Sequence, residues 1–220
     1  MSCISTRRAI LLTVRTESEQ PRTDESVKDK PAPDFEFRII AGELKGKRIT
    51  APDPGVTRPP LTRLRKSIFD FLMPYLPEAR YLDLFSGTGS YLFEAVSRGA
   101  VKALGVEMHP ELAGAINRQA RQFGIEHRLL CLQADVLEAV PHLAQTEPPF
   151  DIIMIAPPQY LGWIEKTLAV LRNSPVAGPT TLIICQHDSS ETKKIAWGDY
   201  RIEQQRKYGN TTYSILQKPE

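Results

Sequence analysis

Cysteine is scarce, with three in 220 residues, an odd number too small for a framework of paired disulfides. Two of them, Cys131 and Cys185, lie inside apolar runs (Leu129-Leu130-Cys131-Leu132 and Leu182-Ile183-Ile184-Cys185), where a thiol behaves as a small hydrophobe. A reducing, intracellular setting is expected. Long apolar stretches are missing too, since none approaches the roughly 18 residues a spanning helix needs; a helical transmembrane or fibrous protein is excluded. The four histidines, His109, His127, His142 and His187, lack metal-ligand spacing and read as surface or core residues, so no metal is expected. Internal repeats and low-complexity segments are absent. What is present is ordinary globular usage, 41% hydrophobic and 25% charged, at a length that fits one α/β domain with a small appendage.

The net charge of +2 conceals an asymmetry. Between Arg38 and Lys66 stand eight basic residues (Arg38, Lys45, Lys47, Arg48, Arg58, Arg63, Arg65, Lys66) against two acidic ones (Glu43, Asp53), a net of +6, which leaves −4 for the remainder. A local excess of this kind suits contact with a polyanion, although a solvated charged face produces the same composition.

Residues 1–36 are polar, weakly patterned and closed by Lys30-Pro31-Ala32-Pro33, which reads as a disordered leader. Its acid-free, Arg- and Ser/Thr-containing start resembles a weak organellar transit peptide; an untargeted tail and a cytoplasmic protein are the preferred reading. Residues 37–76 form the basic part. Alternation around two glycines between Phe37 and Thr50 predicts a small hairpin, Thr57-Arg58-Pro59-Pro60 a turn, and Thr62–Leu72 a helix with Leu64, Ile68, Phe71 and Leu72 inward and Arg63, Arg65 and Lys66 on the surface. From residue 77 to 220, short apolar runs alternate with helical stretches, the signature of βαβ units and a parallel sheet. Strands are expected at Tyr81–Phe85, Ala103–Glu107, Leu129–Gln133, Asp151–Ile155, Thr181–Gln186, Arg201–Lys207 and Thr212–Gln217. Helices are expected at Tyr91–Arg98, Pro110–Phe123, Val136–Leu143 and Leu161–Leu171, with a short piece near Ser189–Ile195. Only Tyr208-Gly209-Asn210-Thr211 separates the last two strands, so they should form an antiparallel hairpin. The fold class is a doubly wound, Rossmann-like α/β architecture with a seven-stranded, mostly parallel sheet.

Asp83-Leu84-Phe85-Ser86-Gly87-Thr88-Gly89-Ser90 runs from a strand through a glycine-rich turn into a helix, the place where doubly wound folds hold nucleotide-like ligands. A dinucleotide fingerprint requires Gly-x-Gly-x-x-Gly, and here the third position is Leu92. Asp83 is a poor neighbour for a pyrophosphate and a good one for a cation. S-adenosylmethionine carries both an ammonium and a sulfonium. Glu107 ends the next strand, where a carboxylate can accept from a ribose diol. Asp135 follows the third strand and can accept from an adenine amino group or simply cap the helix at Val136.

At the end of the fourth strand, Ala156-Pro157-Pro158-Gln159-Tyr160 carries two prolines that leave neighbouring carbonyls without intrachain donors. Such acceptors can grip the N–H bonds of an exocyclic amino group and align its nitrogen with an electrophilic methyl group. Tyr160 offers a stacking face for an unstacked base. Alternatively, the prolines only stop the strand and Tyr160 packs as core.

Together these residues resemble the bacterial small-subunit rRNA guanine-N2 methyltransferases of the RsmD type. The resemblance rests on Arg38-Ile39-Ile40-Ala41-Gly42, Lys45-Gly46-Lys47-Arg48, Arg58-Pro59, Arg63, Arg65 and Phe69, on Asp83–Gly89 with Glu94-Ala95-Val96-Ser97-Arg98-Gly99-Ala100, and on Glu107 and Asp135. It implies a class I methyltransferase using S-adenosylmethionine, with Asp83, Phe85, Ser86, Gly87, Thr88, Gly89, Glu107, Met108 and Asp135 around the cofactor. It also implies Ala156, Pro157, Pro158, Gln159 and Tyr160 at the reacting base, and Arg38, Lys45, Lys47, Arg48, Arg58, Arg63 and Arg65 on RNA phosphates. The family's transfer motif is Asp-Pro-Pro followed by an aromatic residue. Here Ala156 replaces the acid and Gln159 the aromatic, with Tyr160 one step later, so a variant site that still methylates is the reading adopted. The implied partner is small-subunit (16S) rRNA or an assembling 30S particle, without membrane contact, and the protein is expected to be a monomer. Two competitors remain: a catalytically silent RNA-binding or ribosome-assembly protein on the same fold, and a nicotinamide-dependent oxidoreductase, which the missing third glycine and Asp83 disfavour.

Overall fold

The computed structural model describes residues 34–53 and 62–219. The leader up to Pro33, with its transit-peptide reading, and the turn at 57–60 lie outside the described residues. Two strands, β1 (Phe35–Arg38) and β2 (Arg48–Ala51), pair antiparallel with Arg38 opposite Arg48. Strand β1 thus begins two residues inside the segment read as leader. Helix α1 (Thr62–Leu72) follows and tightens into a 3-10 turn at Met73–Tyr75.

The remainder alternates strand and helix: β3 (Arg80–Asp83), α2 (Ser90–Ser97), β4 (Lys102–Glu107), α3 (Pro110–Gln122), β5 (Leu129–Gln133), α4 (Val136–Thr146), β6 (Phe150–Ile155), α5 (Trp163–Arg172), β7 (Ala177–Asp188), β8 (Arg201–Tyr208) and β9 (Thr211–Gln217). The sheet order is β5-β4-β3-β6-β7-β9-β8. Pairs from β5 to β7 are parallel, and β9 runs antiparallel to both β7 and β8. Each parallel step requires a crossover helix, while the two residues between β8 and β9, Gly209 and Asn210, leave room only for a hairpin.

Buried on both faces, the central strands are mainly apolar between their ends and split their side chains by period two. Tyr81, Ile152, Met154, Ile184 and Ile215 pack with Phe69, Leu92, Phe93 and Ile116 of α1–α3. Leu82, Ile153, Ile155, Ile183 and Leu216 pack with Val140, Leu143, Ile164 and Leu168 of α4 and α5. Ile39, Leu44 and Ile49 of the hairpin region join the first cluster. Its connecting turn is docked on α2: Ile40 N donates to Glu94 Oε1 at 2.6 Å, Glu43 N to the Ser97 carbonyl at 2.8 Å and Leu44 N to Ser97 Oγ at 3.0 Å. Gly42 sits at φ +87°, where a Cβ would fall 1.7 Å from the Ser97 carbonyl oxygen, so only glycine permits this approach.

Two expectations fail. No helix spans Ser189–Ile195; hydrogen-bonded turns (Glu191 N to the Asp188 carbonyl, Lys194 N to the Glu191 carbonyl) occupy it instead. The inward face of α1 is Leu64, Arg65, Ile68, Phe69 and Leu72, so Phe71 points partly outward and Arg65 inward. Among the described residues no helix is long and apolar enough to cross a membrane.

Candidate functional site

The chain steps outward from β3 to β4 and β5, then returns to place β6 on the other flank of β3. Ligands of doubly wound sheets bind at such a reversal, beyond the carboxyl ends of the strands. Asp83, Glu107, Gln133 and Ile155 are the last residues of β3, β4, β5 and β6, so the loops leading out of these strands meet there.

Asp83 is fully buried. Its Oδ1 accepts from Phe85 N at 3.3 Å, while Oδ2 has no partner. Burial, reinforced by the negative charge of Glu107 and opposed by the Phe85 N–H, pushes the carboxyl up to about 7. An orphaned acid of this kind fits a cationic group. The loop is held by three bonds, one within its backbone, one to β4 and one from a side chain: Gly89 N donates to the Ser86 carbonyl at 2.8 Å, Ser86 N to the Val106 carbonyl at 3.0 Å and Ser86 Oγ to the Asp83 carbonyl at 3.2 Å. Gly87 and Gly89 have φ +51° and +76°, and Gly89 is the N-cap of α2. A Cβ at Gly89 would lie 2.7 Å from Ile116 Cγ1. Gly89→Ala is therefore expected to lower stability by about 1–2 kcal/mol through left-handed strain and crowding. A thermal unfolding scan checks this, and an unchanged midpoint would refute it.

Glu107, almost fully buried, is already employed. Its Oε2 accepts from Gly87 N at 2.7 Å and its Oε1 from His109 N at 2.9 Å. It ties the glycine-rich turn to the start of α3, and each oxygen keeps a second lone pair for a ligand. Met108 beside it is 59% exposed. Phe85 stands edge-on to Trp163 with centroids 6.1 Å apart, and Thr88 is buried in the turn. Asp135 caps α4, its Oδ1 accepting from Leu137 N at 2.7 Å; the capping account describes that oxygen, and the other makes no bond among the described residues.

The segment after β6 differs from its sequence reading in one respect. The Pro157 carbonyl is not free, because Gln159 Nε2 donates to it at 3.0 Å, and Gln159 Oε1 in turn accepts from Asp188 N. Gln159 is a brace between the proline pair and the end of β7. Tyr160 is 65% exposed at φ +64° and does not pack as core; its N–H donates to Glu191 Oε1 at 3.1 Å. Asp188 and Glu191, which hold this loop, went unnoticed in the sequence because a turn some thirty residues downstream leaves no local pattern. Gln186 was missed too: its Oε1 accepts from Tyr91 OH at 2.5 Å, joining α2 to β7 on the same face of the sheet as Asp83.

The basic residues divide. Lys45, Lys47 and Arg63 are exposed, Lys47 lying over the Phe123 ring at 4.5 Å. Arg48 is exposed and paired with Glu36 at 3.0 Å, and Arg38 donates to the Gly46 carbonyl at 3.0 Å. Arg58 lies outside the described residues. Arg65 must be removed from the surface set. It is 1% exposed, with Nε 3.6 Å from Glu94, Nη2 donating to the Arg38 carbonyl at 2.8 Å and its guanidinium 4.8 Å above the Phe37 ring. Helical spacing puts it beside Leu64 and Ile68, and the Glu94 carboxylate makes a buried guanidinium tolerable.

A sheet numbered from its own first strand as 3-2-1-4-5-7-6, with a glycine-rich turn and acids at the first two strand ends, defines a Rossmann-like class I methyltransferase. The family model described as Conserved hypothetical protein 95 matches residues 37–217, and the chain belongs to this family, that of the RsmD-type methyltransferases. Ribosomal RNA small subunit methyltransferase D of Escherichia coli is 26% identical over 185 residues, 83% of this chain and 90% of that protein. Its Haemophilus influenzae namesake is 26% identical, covering 83% and 94%. Among solved structures, an RNA methyltransferase from Salinibacter ruber in complex with S-adenosyl-L-homocysteine shares the fold at 17% identity, with TM-score 0.58 over 74% of this chain and 95% of that one.

Proposed function

We infer that the protein is an S-adenosylmethionine-dependent rRNA methyltransferase that modifies the N2 amino group of a guanine in small-subunit (16S) rRNA. The observation carrying this reading is the buried Asp83 carboxylate with an unpartnered oxygen at the mouth of the glycine-rich turn, one strand from the proline pair. The Escherichia coli and Haemophilus influenzae relatives, named small-subunit rRNA methyltransferases, support the substrate class.

The cofactor supplies an electrophilic methyl group on sulfonium sulfur. Asp83 would take its ammonium, Glu107 the ribose hydroxyls and Asp135 the adenine amino group, while Gly87 and Gly89 keep side chains out of the space between. Carbonyls at Ala156 and Pro157 would accept the N–H bonds of the guanine amino group and orient its lone pair for in-line attack. For Pro157 this requires Gln159 Nε2 to let go. With no carboxylate at residue 156, these residues position and desolvate rather than remove a proton.

Incubation with radiolabelled S-adenosylmethionine and undermodified small-subunit particles, followed by mapping of the labelled base, tests the reading. Label on a guanine N2 is the expected result. Label elsewhere on the RNA would overturn the N2 assignment, and none at all, with RNA binding intact, would favour the silent assembly protein.

A further inference from the structure

Away from the crevice, the structure contains a groove of about 440 Å³ lined by Arg63, Lys66, Ser67, Asp70 and Phe71 of α1 and by Arg206 of β8. Residues 63, 66, 67 and 70 form the stripe of α1 opposite to the buried Leu64, Ile68 and Leu72. Arg206, some 140 positions later, is brought to this stripe by the antiparallel return of β8.

Three cations face one carboxylate. Asp70 is shared between Lys66 and Arg98, the latter 3.5 Å away, so it neutralises no charge completely. Arg63 makes no bond or ion pair among the described residues. The first turn of α1 contains no acid, so its amide end adds to the positive field. Phe71 is a half-buried aromatic side chain in the same groove. At its inner side Ser67 Oγ bonds Tyr208 OH and lies 3.5 Å from Tyr213 OH, and the two tyrosine rings stack with centroids 5.9 Å apart. Tyr213 pairs with Gln186 across β9 and β7, and Gln186 is bonded to Tyr91 in the helix that follows the glycine-rich turn. The groove therefore adjoins the candidate site on the same face of the sheet.

We propose that this groove between α1 and β8 holds an unpaired segment of the RNA substrate, with Arg63, Lys66 and Arg206 on successive phosphates and Phe71 against a base. The proposal rests on the RNA reading above and adds the carboxyl-terminal hairpin to the contact surface. Cations that follow a backbone beside an aromatic face are the means by which single strands are held without sequence preference, whereas a duplex hides its base faces.

The test is the binding of a fluorescent oligouridylate of about 12 nucleotides to the full chain over a salt series. Relative to wild type, Arg63→Glu/Arg206→Glu should bind at least tenfold more weakly, and its log–log salt slope should be shallower by about 1.4, as for two lost single-strand phosphate contacts. Phe71→Ala should weaken binding without changing the slope. In the double variant S-adenosylhomocysteine affinity and the unfolding midpoint should stay at wild-type values, which excludes misfolding; Phe71→Ala, which also removes packing against the core, should lower the midpoint and keep the cofactor-product affinity. Arg118→Glu/Arg121→Glu on α3 is the charge-matched control. The groove assignment is overturned if the double variant binds within twofold of wild type, or loses no more than the control. It is equally overturned if polyglutamate of equal charge binds wild type better than RNA does, which would assign the groove to an acidic protein. Should wild type bind S-adenosylhomocysteine but no RNA at all, the RNA reading itself fails and the groove with it.

Discussion

Replacing Asp83 by alanine is expected to weaken S-adenosylhomocysteine binding at least a hundredfold while the chain remains folded. The side chain is completely buried, has one unpartnered oxygen, and is held up to about 7 chiefly by desolvation. Because the native carboxyl sits above its unfolded value of 3.8, the folded state binds the extra proton between about pH 4 and pH 7. The stability this provides is fully present below about pH 4 and drains away as pH rises through 7. Above that point the penalty for burying the charge reaches about 4 kcal/mol as an upper bound. Asp83→Asn should therefore be more stable than wild type at pH 8 and nearly equal to it at pH 4, measured by chemical denaturation. Ligand binding runs the other way. A cationic ammonium must displace the proton, so wild-type affinity should fall by nearly tenfold per unit well below pH 7. Calorimetric titrations from pH 5 to 8 would show this slope in wild type and none in Asp83→Ala. A flat wild-type profile, or unchanged affinity in the variant, would remove Asp83 from the cofactor site.

Arg65→Met is expected to cost about 3–5 kcal/mol of stability, the range for removing one partner of a buried pair. Glu94, itself fully buried, would keep only Arg98 Nε at 3.1 Å and Ile40 N at 2.6 Å. The Arg38 carbonyl would lose its guanidinium donor and Phe37 its cation. Urea unfolding checks the size of the loss. RNA affinity per folded molecule should not change, since no solvent-facing charge is removed. A variant of wild-type stability that binds RNA poorly would return Arg65 to the phosphate-contacting set.

Strand positions, helix positions and the glycine-rich turn were legible in the sequence because each is written in consecutive residues: the apolar run of β6, the glycines at 87 and 89, the capping alternative at Asp135. The segment around Ser189–Ile195 misled because a short polar stretch without glycine or proline is compatible with a helix, while its bonds go to turns and to the Tyr160 loop. Arg65 misled for a different reason. Charge is counted along the chain, and only a partner 29 positions away reveals that a guanidinium is buried. The Gln159 brace and the groove at Arg206 were invisible for the same cause, each joining residues that no sequence window contains. The acids of the crevice were found because strand ends in a parallel sheet fall at regular intervals.

The clasp of the amino-terminal turn on α2 has a consequence for biosynthesis. Ile40 finds Glu94 54 positions further on, so β1 and β2 emerge from a translating ribosome well before their anchor exists. At typical elongation rates this interval is about 3–10 seconds. During that time the basic hairpin is a free cationic arm, and only when α2 appears can the nascent chain bury Arg65 and fix the hairpin against the core.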